Sequence, residues 1–77
     1  MSNPRIQQAV ADAVNLVNHH RGVTSVRLMF NDDPTAVDIV ANSARIFGDT
    51  FEFVAGFESY GGSFSELRGI EAHVIQH

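Results

Sequence analysis

The four histidines are the side chains best suited to hold a metal or move a proton near neutral pH. His19 and His20 are adjacent. On a helix they would point about 100° apart, so one metal ion would not easily take both. His73 and His77 stand four residues apart, which is a ligand spacing if the tail is helical. If the tail is extended they share a face but lie roughly 13 Å apart, beyond chelation. No HExxH pattern accompanies either pair, and all four read first as surface histidines. A small metal-binding protein or enzyme using His73 and His77 stands as one alternative.

Nucleophilic chemistry has even less support. Serine, histidine and aspartate are present, but no GxSxG elbow occurs. Tyr60-Gly61-Gly62-Ser63 is glycine-rich like an anion loop. It lacks both GxGxxG and the lysine of a P-loop, so it reads as an ordinary turn. The chain contains no lysine, which excludes Schiff-base and lysine-base chemistry. It contains no cysteine, which excludes disulfides, thiolate zinc sites and iron–sulfur clusters. All five cations are arginines (Arg5, Arg21, Arg27, Arg45 and Arg68). Arginine's planar fork suits carboxylates, phosphates and aromatic faces. His19, His20, Arg21 and Arg27 would come together where a helix end leads into a strand. They form a second alternative, a small anion or nucleic-acid site, although a helix C-terminus repels anions. No catalytic residue, cofactor or metal is assigned, and the chain reads as non-enzymatic.

The aromatic residues give the strongest signal. Apart from Phe30, all of them lie between Phe47 and Phe64: Phe47, Phe51, Phe53, Phe57, Tyr60 and Phe64. Aromatics bury the most area per residue and anchor most interfaces. Phe47, Phe51 and Phe53 fit the apolar face of a regular element and read as core. Phe57, Tyr60 and Phe64 straddle a strand end and a glycine loop. With Arg68 they are the candidate partner-binding residues. Base stacking by Phe53 and Phe57 is disfavoured by the flanking Glu52 and Glu58 and by the missing RNP1 pattern.

Composition narrows the class further. A chain of 77 residues is one small domain. It hides only about 60% of its unfolded surface, which leaves stability marginal and favours oligomers or docked partners. The net charge of −4 is dispersed and argues against nucleic acid, whose binding rests on phosphate neutralisation. No apolar run approaches the roughly 18 residues of a membrane helix. MSNPRIQQAV shows no leader pattern, so a cytoplasmic location is expected.

These residues must be positioned by a few elements. Residues 3–21 predict a long helix, with Ser2 or Asn3 as cap and Pro4 in the first turn. Its apolar stripe is Ile6, Ala9, Val10, Ala13, Val14, Leu16 and Val17. Residues 23–30 predict a strand with Thr24, Val26, Leu28 and Phe30 on one face. Residues 34–47 carry polar positions at Thr35, Asp38, Asn42 and Arg45, spaced three, four and three. That spacing favours a second helix, started by Asp33-Pro34 and ended by Gly48. The other reading is a strand through Val37, Ile39 and Ala41, with Gly48-Asp49 as a hairpin turn. Residues 50–58 predict a strand carrying Phe51, Phe53, Ala55 and Phe57 on one face, followed by a loop at 59–62. Ser63 and Glu66 have capping-box spacing. A short helical turn and a final strand at 70–76 complete the chain.

The expected fold is α/β (α+β), with the long N-terminal helix on a small sheet of three or four strands. The order is α-β-α-β-β, with α-β-β-β-α as the alternative. The expected function is a protein–protein interaction module that self-associates or docks on a protein partner. Small chains without catalytic motifs commonly serve as accessory or inhibitor proteins in phage or bacterial systems.

Overall fold

The computed structural model describes residues 4–75. Helix α1 spans Pro4–His19 and is followed by strands β1 (Thr24–Phe30), β2 (Val37–Ala41), β3 (Ser43–Phe47), β4 (Thr50–Ala55) and β5 (Glu58–Ser63). A 3-10 turn, η1 (Phe64–Glu66), leads into β6 (Leu67–Val74). The strands form two antiparallel three-stranded sheets, ordered β2-β1-β6 and β3-β4-β5. The chain is a single α+β domain with its helix at the N-terminus, as expected. The expected helix caps Ser2 and Asn3 lie outside the described residues.

Helix α1 buries Ile6, Val10, Ala13, Val14 and Val17, positions three and four apart that form one stripe. The stripe packs mainly on β6 and β3. Its C-terminal end is tied to β1 by Thr24, which is fully buried. The Thr24 hydroxyl donates to the His20 carbonyl at 2.8 Å, satisfying a group the helix cannot satisfy itself. Val26 and Leu28 continue the buried face of β1, and on β2 Ile39 stands across from Val26 and Ala41 across from Thr24. Phe51 and Phe53 supply the core from the second sheet, with Phe64 stacked on Phe51 at 6.2 Å.

The second helix expected at 34–47 is absent. Those residues form β2 and β3, two strands meeting at Asn42. Neither expected order holds, because among the described residues five strands follow β1 without a second α-helix and the last element is strand β6. The Asn42 N–H donates to the Val54 carbonyl at 2.7 Å, although Val54 already stands across from Ser43. Two residues opposing one is a β-bulge, and bulges bend a strand and re-phase its side chains. Before the bend Ile39 and Ala41 face the core; after it Ala44 does. The chain thereby passes from one sheet to the other, which explains two small sheets where one was expected. Asp33 does cap, but caps a turn: its carboxylate accepts the Thr35 N–H at 2.9 Å and the Thr35 hydroxyl at 2.7 Å. These bonds, the hydroxyl's foremost, hold Asp33 below the usual carboxylate pKa.

Three further boundaries differ. The strand expected at 50–58 stops at Ala55, and Gly56-Phe57 form a two-residue turn with Gly56 at φ 64°. The loop expected at 59–62 is strand β5. The final strand begins at Leu67, three residues before the expected 70, and its described part ends at Val74. The expected helical turn ahead of it is η1. Phe47, expected in the core, is 57% exposed. It lies beyond the bend, on the outer face with Ser43 and Arg45.

Glu66 closes the junction between the sheets. Its carboxylate accepts the Ser63 N–H at 2.9 Å and the Ser63 hydroxyl at 3.1 Å. The Ser63 amide, then its hydroxyl, lower the Glu66 pKa below its ordinary 4.5. A carboxyl whose folded pKa is lowered stabilises the fold when charged. That contribution is complete above the unfolded value and is lost as pH falls through the folded one. Glu66→Gln is therefore expected to be less stable at neutral pH and to lose less on acidification below 4.5. Thermal melts of both proteins across that range check this. Parallel curves would mean that the Ser63–Glu66 contacts add nothing to stability.

Candidate functional site

The hairpin β4–β5 carries most of the predicted site. Ala55 pairs with Glu58, Phe53 with Tyr60 and Thr50 with Ser63. Phe57 sits at the tip and is fully exposed. Tyr60 lies three residues further along, half-buried against the core. Its hydroxyl donates to the Glu58 carboxylate. That hydrogen bond raises the Tyr60 pKa, because the negative carboxylate favours the protonated phenol. Tyr60 is thus fixed at both ends, ring on the core and hydroxyl on Glu58.

Phe64 and Arg68 stand apart from these two. Phe64 is only 6% exposed and stacks in the core on Phe51. Arg68 follows η1 at the far end of β5, a strand of six residues or about 17 Å from the Phe57 tip. Its Nε–H donates to the Phe30 carbonyl at 3.3 Å, bridging an irregularity where β1 and β6 change register. The structure therefore brings Phe57 and Tyr60 onto one hairpin and separates Phe64 and Arg68 from it. A Phe in phase with Phe51 and Phe53 looks like a core residue. The turn at Gly56 removes Phe57 from that role and leaves it projecting.

The proposed anion set is also divided. Arg27 lies on the outer face of β1, where its Nε–H donates to Asp38 at 2.8 Å and Nη1 stands 3.9 Å from Glu71. The Asp38 hydrogen bond, then its charge, raise the Arg27 pKa. His19 donates its Nδ1–H to the Asn15 carbonyl at 2.7 Å. Arg21 lines a different, polar cleft of about 370 Å³ with Asn18, Ser43, Arg45 and Glu52. There Arg45 is engaged by Glu52 at 2.8 Å and lies 4.8 Å from the Phe47 ring centroid. Of the pair expected to bind metal, His73 is exposed on β6 and His77 lies outside the described residues. No helix among the described residues is long and apolar enough to cross a membrane.

Two features escape a sequence reading. Asn18 makes paired bonds to the edge of β3: its amide N–H donates to the Ala44 carbonyl at 3.0 Å, and its Oδ1 accepts the Ala44 N–H at 3.2 Å. A side-chain amide thus completes the ladder at an otherwise open edge. An asparagine on a helix surface has no spacing that announces this. The second feature is the exposure of large apolar side chains on either side of the bend, Val40 on β2 and Ile46 and Phe47 on β3.

The fold defines a small α+β domain of one helix and two antiparallel three-stranded sheets, with Phe57 exposed at a hairpin tip. No family model, curated protein or solved structure matches the chain.

Proposed function

We propose that this chain is a non-enzymatic protein-interaction module that docks on a protein partner through its β4–β5 hairpin. One observation carries the reading: Phe57 projects from a two-residue turn with its ring fully exposed. Such turns favour small and polar residues, and a phenylalanine there adds nothing to the fold. Buried on a partner, the same ring contributes about 2 kcal/mol or more, which is roughly thirtyfold in affinity. Tyr60 lies on the same hairpin, held by Glu58, and loses little freedom on binding. Accessory or inhibitor roles in phage or bacterial systems, and a cytoplasmic setting, belong to this reading.

Pull-downs with the tagged chain from its native extract test it, comparing wild type with Phe57→Ala. The expected result is a stoichiometric partner kept by the wild type and lost by the variant, with melting temperatures within a degree or two. A partner held equally by both, or none at all, would sink the hairpin as a docking element.

A further inference from the structure

The sheets end in four edge strands, and three of them are obstructed. β3 is tied at Ala44 by Asn18. β5 carries Gly61 and Gly62, and its Ser63 N–H is taken by Glu66. β2 has only five residues and runs into the Asn42 bend. β6 has eight residues, the longest strand among the described residues, and no described element hydrogen-bonds along its outer side.

The phase of that outer side can be read from its hydrogen bonds. The Ile75 N–H donates to the Val23 carbonyl at 2.7 Å. By antiparallel alternation, His73, Glu71 and Gly69 exchange bonds with Ser25, Arg27 and Met29. The backbone groups of Ile70, Ala72 and Val74 therefore point away from β1, towards the open edge. Their half-buried side chains point the other way from those of Glu71 and His73, to the face carrying α1. There Ala9, Ala13 and Leu16 of α1, with Ile70 and Ala72, line a groove of about 220 Å³. Asp12 borders it and accepts a hydrogen bond from Gln8 at 2.9 Å.

We propose that β6 is the pairing edge of a symmetric homodimer, joined antiparallel about Ala72 into one six-stranded sheet. The strand is complementary to itself in that register. Ile70 meets Val74 of the second copy on the groove face. Glu71 meets His73 on the outer face, and Ala72 meets Ala72 at the axis. The outer face already carries a row of alternating charge, Asp38, Arg27 and Glu71, and His73 of the second copy brings a hydrogen-bonding imidazole beside Glu71. Ser25, across from His73, adds no charge. A register centred on Glu71 sets like charges together and turns the outward backbone groups out of phase. The small, partly exposed Ala9 lets the second copy approach the rim of the groove closely. This surface is separate from the hairpin tip, so the dimer stands or falls independently of the docking of Phe57.

Sedimentation of the full chain from about 1 to 500 μM tests the proposal. The expected result is a reversible dimer with a dissociation constant in the micromolar range. Amide exchange at Ile70, Ala72 and Val74 should slow as concentration rises. His73→Glu, which sets two carboxylates across the axis, should weaken the dimer at least tenfold. The double variant Glu71→His/His73→Glu should restore it, because only this register exchanges the two positions. Ala72→Pro removes an outward N–H and should give a folded monomer, with circular dichroism confirming the fold. A monomer throughout the range overturns the proposal. So does a dimer that ignores all three variants, or one dissolved instead by Phe57→Ala.

Discussion

Gly61→Ala is expected to destabilise the domain by about 3 kcal/mol, near the upper end of overpacking costs. A Cβ at Gly61 would overlap the Phe51 carbonyl oxygen and stand 3.4 Å from the Glu52 Cα. Both obstacles are backbone in the middle strand of a sheet. Neither can swing aside as a side chain would. The expected loss is net of alanine's smaller unfolded-state entropy, which works the other way by only about 0.5–1 kcal/mol. For a domain of this size the net loss lowers the melting temperature by roughly 12–24 °C. The adjacent glycine is the control. A Cβ at Gly62 would meet the Glu66 Oε1 at 3.1 Å, the far end of a flexible side chain. Gly62→Ala should therefore cost about 1 kcal/mol or less. Urea denaturation of both variants checks the pair. Equal losses would mean that β5 does not approach β4 as closely as described.

The same close approach explains why β5 is illegible in the sequence. Gly61-Gly62 beside Tyr60 and Ser63 has the composition of a loop. Gly61 is required because the backbones of β4 and β5 come too close for a side chain there. Composition reports flexibility in such a case when the physical cause is crowding. The hairpin turn at Gly56-Phe57 is hidden for a related reason. Phe51, Phe53, Ala55 and Phe57 keep perfect two-residue alternation, and only the backbone at Gly56, with φ 64°, shows that the strand has ended.

Residues 34–47 mislead in a more instructive way. Within β2 the alternation is clean, with Ile39 and Ala41 inside and Asp38 and Val40 outside. At the bulge one residue is inserted and the phase flips, so the next inward residue is Ala44. Polar positions at Asp38, Asn42 and Arg45 then fall at spacings of four and three, which a helix would also produce. Their work is nevertheless that of strand residues. Asp38 pairs across to Arg27 and Arg45 across to Glu52, while Asn42 makes the bend. Helix α1 and β1 have no such interruption. A single period runs through each, and each was legible almost to its ends. The candidate site follows the same rule. Tyr60 and Phe57 stand out as aromatics near a strand end and both lie on the β4–β5 hairpin, whereas Phe64 is near them in sequence only and packs in the core.

The contrast between buried and projecting phenylalanines gives the other large effect. Phe53 is 0% exposed and the largest fully buried side chain of the domain. Its ring lies 5.9 Å from that of Phe51 and across the strand pair from Tyr60. Phe53→Ala removes that volume from the middle of a three-stranded sheet whose neighbouring strands are fixed by their ladders. Little collapse into the cavity is possible, so the cost should be about 4 kcal/mol. Small domains have total stabilities of roughly 0.05–0.15 kcal/mol per residue, so this loss removes from about a third to all of the stability of a chain this size. Phe57→Ala, four residues along the same hairpin, should change stability by no more than about 0.5 kcal/mol. Thermal melts and near-ultraviolet circular dichroism of the two variants separate the outcomes. A stable Phe53→Ala would require the core to repack around the hole. A clear loss in Phe57→Ala would mean that its ring folds back onto the domain, and the hairpin would then have no free aromatic with which to hold a partner.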